Sequence, residues 1–205
     1  MSRLALCDVS GPLTDLLQKL SGEDGEQWMR ATKKMLRREN PWEGLSIWKT
    51  IKLGTGLKTA DDFRRSLKDN GNCIGGWAND LLGKSEFENS VSKEEAEVDL
   101  VIFTTAQLTG KANGGTTAEV FAGAERLGLK KCSAEVGPQL RRQNADQPNG
   151  ERLLIGMEPI RDSDGDLSVF NVVHDDNGRW LNSYYDNPVN VWLADSRWVF
   201  VRPRK

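Results

Sequence analysis

ERLLIGMEP (151–159), LSVFNVVH (167–174), RWLNSYY (179–185) and RWVFVRP (197–203) decide the fold. Each is a short run rich in β-branched and aromatic residues, the composition that suits a pleated, half-buried strand. Asp162-Ser163-Asp164-Gly165 and Asp175-Asp176-Asn177-Gly178 separate the first three runs, and such clusters favour tight turns. Asp186-Asn187-Pro188 leads from the third run through Val191–Leu193 to the last. The pattern predicts sequential neighbours pairing as an antiparallel meander.

Outward from that sheet, the first ninety residues read as helical. Leu13, Leu16, Leu17 and Leu20 form an i, i+3, i+4, i+7 stripe. A second helix is expected over Glu23–Arg38, with one face basic. Asn40-Pro41-Trp42-Glu43 has the form of a helix start and predicts a short helix through Ile47 and Trp48. Thr59 with Asp62 caps Ala60–Lys68, and a further helix is expected over Ile74–Leu82. The polar stretch Gly83–Glu97 reads as a linker. Val98–Thr104 (VDLVIFT) reads as a buried strand. Thr116 with Glu119 caps a helix over Ala118–Leu127, and Ser133–Gln143 is a second helix. The expected architecture is therefore α+β: a helical region (1–90), then a strand–helix–helix unit and a C-terminal antiparallel β-meander (97–205).

Composition narrows the function classes. The chain has 205 residues with 28 basic and 30 acidic side chains, a formal charge of −2. That balance argues against a general nucleic-acid binder, which carries a basic excess. Its length allows a sizeable core without disulfides or metals. Three cysteines, Cys7, Cys73 and Cys132, lack metal-ligand spacing, and unpaired thiols fit a reducing compartment. No apolar run reaches the ~20 residues of a membrane span, and the N-terminus lacks the apolar core of a signal peptide. A cytoplasmic location is expected.

Several segments are similar to a family of uncharacterised bacterial proteins: WKTIKLGTGLKTADDF from Trp48, IGGWANDLLGK from Ile74, EVDLVIF from Glu97, GLKKCSAEVGPQLR from Gly128, LLIGMEPIRDSDGD from Leu153 and RWVFVRPRK from Arg197. The resemblance covers about residues 48–205 and implies a self-standing bacterial protein. It implies no activity, cofactor or catalytic residue.

Five constellations could carry chemistry. Asp162, Asp164 and Asp166 have the alternating spacing of a Ca²⁺ or Mg²⁺ loop, with Glu158 nearby. The glycine and bidentate glutamate of an EF-hand are missing, so a hairpin turn is the plainer reading. His174, the single histidine, has the proton affinity of a general base. With Glu135 and Glu158 it makes a candidate acid–base set. Gly54, Gly56, Lys58 and Thr59 place free backbone N–H groups at a helix start, the physics of an anion site, without the spacing of a phosphate loop. Cys132 near a helix start would need His174 as its base and reads more simply as a buried thiol. Finally, Phe170, Trp180, Tyr184, Tyr185, Trp192, Trp198 and Phe200 crowd the predicted sheet. Packing of the sheet against the Ala118–Leu127 helix is the plainer reading of these rings; with one helical layer available to cover the sheet, the remainder would form a surface for a ligand or partner.

Three functions compete. The favoured one is a binding or interaction protein, with a protein partner, using the C-terminal sheet. The second is a divalent-metal-dependent hydrolase or nuclease built on the acidic cluster around Asp162. The third is a nucleic-acid accessory protein using Arg30, Lys33, Lys34, Arg37 and Arg38 on the basic helix.

Overall fold

The computed structural model describes residues 6–36 and 46–204. The protein is α+β, and two compact units divide it, Met1–Ser46 and Ile47–Lys205. The first holds α1 (Leu6–Ser21) and α2 (Gly25–Leu36), joined by a tight turn. Lys19 reaches from α1 over the Trp28 ring of α2, 4.5 Å from its centroid. Leu17 and Leu36 remain exposed.

The second unit is a mixed sheet with helices on both faces. Its strands are β1 (Lys49–Leu53), β2 (Cys73–Ile74), β3 (Ala96–Thr104), β4 (Arg152–Ile155), β5 (Ile160–Arg161), β6 (Leu167–Asp175), β7 (Gly178–Tyr185) and β8 (Arg197–Arg202). The helices are α3 (Ala60–Asp69), α4 (Gly76–Leu82), α5 (Ser85–Ser90), α6 (Thr105–Thr109), α7 (Thr117–Arg126) and α8 (Val136–Gln143). The order across the sheet is β1-β3-β8-β4-β6-β7-β2, and β5 pairs with β6 off this path.

This order corrects the simple meander. β4, β6 and β7 do follow one another as antiparallel neighbours. The last strand does not join their edge. β8 runs between β3 and β4, antiparallel to the first and parallel to the second. The segment around Val191 is a loop tied to Gly115 by a single bridge at Trp192. Two strands also lie where helix or loop was expected. Lys49–Leu53 alternates inward Ile51 and Leu53 with outward Thr50 and Lys52, and it pairs with β3. Cys73–Ile74 pairs in parallel with β7. The β1–β3 pairing spans the expected linker, within which α5 buries Phe87.

Strand alternation sorts the core into two layers. On one face lie Leu153, Phe170, Val172, Leu181 and Val199, by register. A ring contact chain, Phe63 (α3) to Phe87 (α5) to Phe170 (β6), covers this face at centroid distances of 5.2 and 5.9 Å. α8 packs here too: a Cβ on Gly137 would stand 2.8 Å from the Phe170 side chain, so only glycine permits that approach. On the opposite face, Phe121 of α7 meets Trp198 and Phe200 of β8 edge-on. Trp198 Nε1 donates to Thr105 Oγ1 of α6 at 3.1 Å. This second layer rests on β8. Arg152, Leu154, Val173 and Tyr184 are the neighbouring positions of β4, β6 and β7 on the same face, and among the described residues Tyr184 makes no ring contact with α6 or α7.

Capping explains where several helices start. Thr59–Asp62, Thr104–Gln107 and Thr116–Glu119 each form a reciprocal capping box. Among the described residues, no helix is long and apolar enough to cross a membrane.

Candidate functional site

A cavity of about 890 Å³ lies on the second face, over β4, β6 and β7. It reaches the end of the sheet where β4 and β8 begin and β6 ends. Leu154, Val173 and Trp192 give it an apolar lining. Tyr184 and Tyr185 line it and are 43% and 46% exposed. Arg152 stands over the Tyr184 ring, 5.8 Å from its centroid, and forms no ion pair among the described residues. At that distance the ring attracts the guanidinium while leaving its N–H groups available.

Charge of both signs lines the sheet end. Arg197 Nη1 pairs with Glu151 Oε1 at 2.5 Å. The Glu151 side chain is largely buried, and its Oε2 is enclosed without a partner. Asp195, Asp175 and His174 complete this rim.

The loop that shapes the cavity is anchored at three points. Trp192 is buried, tilted against Tyr184 and edge-on to Trp198, with both centroids 5.0 Å away. Its Nε1 donates to Thr117 Oγ1 at 2.8 Å. That hydroxyl in turn donates to Asp186 Oδ1. Burial raises the Asp186 carboxyl above its ordinary range, and the Thr117 hydrogen bond partly opposes this. Val191 and Leu193, either side of Trp192, point outward.

The candidate residues from the sequence fall into separate places. Glu135 is fully buried at the start of α8. Its Oε1 accepts from Gly54 N (2.8 Å) and Gln139 Nε2 (2.9 Å), and its Oε2 accepts from Ser92 N (2.8 Å). The proposed catalytic glutamate and the proposed anion loop thus satisfy each other. The Gly54 N–H binds a carboxylate of the chain itself. The Lys58 and Thr59 N–H groups both donate to Asp62 Oδ2, lowering the Asp62 carboxyl below its usual range, chiefly through the Thr59 N–H. Gly56 takes a left-handed turn, φ +88°, in the same loop.

Glu158 is exposed and pairs with Lys131 at 2.5 Å. His174 lies at the end of β6, with Nδ1 2.6 Å from the Gln147 carbonyl oxygen, and borders the cavity. The structure therefore does not bring Glu135, Glu158 and His174 to one point. Asp162 uses Oδ1 to accept from the Asp164 and Asp166 N–H groups at 3.1 and 3.0 Å. The next residue, Ser163, is tied to Asp80 and Lys84 of the α4 region. These are the bonds of a stapled hairpin turn. Among the described residues, no group of three His, Cys, Asp or Glu side chains is placed to hold a metal ion.

Arg30 and Lys33 are exposed on α2, and Arg30 lies 3.7 Å from Glu26. Lys34 falls on the same helix, while Arg37 and Arg38 lie outside the described residues. Cys132 is buried with Sγ 3.4 Å from Val199 O, and burial pushes its thiol up, the surroundings of a structural cysteine. The aromatic crowding flagged Tyr184, Tyr185 and Trp192. It gave no sign of Glu151, Arg152, Asp195 and Arg197, which join them only through the β4–β6 and β4–β8 pairings.

No protein-family model matches the chain, and no curated protein or solved structure matches it either. The resemblance to a bacterial family rests on the quoted segments alone.

Proposed function

We propose that this is a binding protein whose ligand seats in the cavity over β4, β6 and β7. The observation that supports this reading is the contrast within one sheet face. α6 and α7 cover the β8 side, while the adjoining strands carry a roomy, amphipathic concavity. Its volume is within the range of small-molecule sites, and its lining combines apolar floor, tyrosine rings and a few convergent polar groups. The Trp192–Thr117–Asp186 anchor holds the bordering loop in place, so less ordering entropy opposes binding.

The test is a thermal-shift screen of a chemically diverse small-molecule library, run in parallel on the protein and on Tyr184→Ala. A ligand that binds only the folded state raises the melting temperature by mass action. The expected result is a set of hits whose shifts vanish in the variant. Hits indifferent to Tyr184→Ala would place binding elsewhere and overturn the reading.

A further inference from the structure

We infer that the cavity over β4, β6 and β7 takes a neutral saccharide, and this rests on the binding reading above. Three properties of its lining carry the assignment.

The first is mixed charge, three carboxylates facing two guanidinium groups. Glu151, Asp175 and Asp195 oppose Arg152 and Arg197 around one opening. A ligand of one charge sign would bring some of its charge against like charge, and removing those groups from water is costly. A hydroxyl is both donor and acceptor. A ligand made of hydroxyls can therefore meet acceptor-only carboxylates and donor-only guanidinium groups together.

The second is the ring surface. Tyr184 is 43% exposed and tilted against Trp192, with the Arg152 guanidinium 5.8 Å from its ring centroid. A pyranose presents a flat face of C–H groups that matches an aromatic face, whose surface carries negative partial charge. Apolar contact then supplies affinity and the charged rim orients the hydroxyls.

The third is shape. The cavity is large and not sealed, with exposed Tyr185, Val191 and Leu193 around it. Its volume of about 890 Å³ has room for more than one sugar ring, and a chain can run out of it. A zwitterion such as a dipeptide would also meet both charge signs. Glycylglycine is therefore the competing probe that separates the two, because it has no flat C–H face to lay on Tyr184.

The experiment probes the labelled full chain on an array of neutral, sulfated and sialylated glycans, then titrates the best neutral oligosaccharide by calorimetry. Glycylglycine and inorganic phosphate serve as competing probes. Binding to neutral glycans is expected, with affinity falling at least ~10-fold in Tyr184→Ala, equivalent to about 1.4 kcal/mol. Tyr184→Phe keeps the ring and should stay within ~3-fold of the parent, because stacking rather than the hydroxyl is used. Circular dichroism and melting curves check that each variant is folded. Binding of glycylglycine or charged glycans alone, lost in Tyr184→Ala, would overturn the saccharide assignment and leave the binding site standing. Glycan binding unchanged by Tyr184→Ala would overturn the placement of the site.

Discussion

The two faces of the β4–β6–β7 sheet use similar residue types to opposite ends. On the face under α3, α5 and α8, charged groups are sealed and find most of their partners within the chain, although the Arg141 Nε is enclosed without one. Glu135 accepts from Gly54, Gln139 and Ser92. Arg141 donates to the Gln147 side chain and to the Asn144 and Val173 carbonyls, and burial pulls its guanidinium down to about 10. On the other face, Arg152 and Tyr184 lean on each other and leave hydrogen-bonding capacity unused. Polar residues inside a protein stabilise a fold when their partners are internal. They become recognition groups when their partners are left to a ligand.

The comparison breaks most readily at the covered face. Phe170→Ala should cost about 3–5 kcal/mol, because it removes a buried ring that touches Phe87 and α8. Chemical denaturation would read this as a large drop in midpoint, and a cost under ~1 kcal/mol would show the layer to be loosely packed. Glu135→Gln comes next. The amide keeps the shape but turns one acceptor into a donor facing N–H groups, an expected loss of about 2–3 kcal/mol. If that variant melted with the parent, Glu135 would not be the staple of the Gly54 loop. A smaller effect is expected for Thr117→Val, which strips Trp192 Nε1 and Asp186 of their shared partner. A loss of about 1–2 kcal/mol is anticipated. Proteolysis around Asn190 should also quicken as the loop comes loose.

The acid limb sharpens the picture further. Arg204 and Thr50 hydrogen-bond the Asp99 carboxylate and hold it at about 2, below its ordinary 3.8. A depressed folded-state value means the contribution is full above about 3.8 and disappears as pH falls through about 2. Asp99→Asn should therefore melt below the parent at neutral pH, and the two melting curves should converge toward pH 2. A gap that stayed constant with pH would mean the ionised carboxylate is not what stabilises. Asp186 has the opposite sign. Its raised value makes ionisation unfavourable to the fold, so its stability contribution is present in acid and lost as pH rises.

Legibility in the sequence followed the range of the interactions. Capping boxes at Thr59–Asp62 and Thr116–Glu119 were readable because they span three residues, and Thr104–Gln107 has the same signature. The alternation around Phe170, Val172 and His174 was readable too, since a strand's period is local. β1 was hidden by its five-residue length and its outward lysine, beside a Pro-Trp-Glu helix-start signal. The insertion of β8 between β3 and β4 depends on pairings nearly a hundred residues apart, which no local pattern encodes. The cavity inherits that problem. Surplus aromatic surface could be inferred from the residue count, but Glu151 and Arg197 become neighbours only because β4 and β8 run in parallel. Glu135 looked catalytic because an isolated acidic residue near a cysteine carries no sign that distant backbone N–H groups will saturate it.

The most direct measurement is the melting temperature and ligand affinity of Arg152→Ala, taken side by side with those of the parent. A surface position away from the core should change stability by no more than about 0.5 kcal/mol, a shift of about 1–2 °C for a chain of this size. The account predicts that small shift together with a loss of binding of ~10-fold or more. A variant that melts far below the parent while binding as before would contradict it, because Arg152 would then belong to the structural face of the molecule.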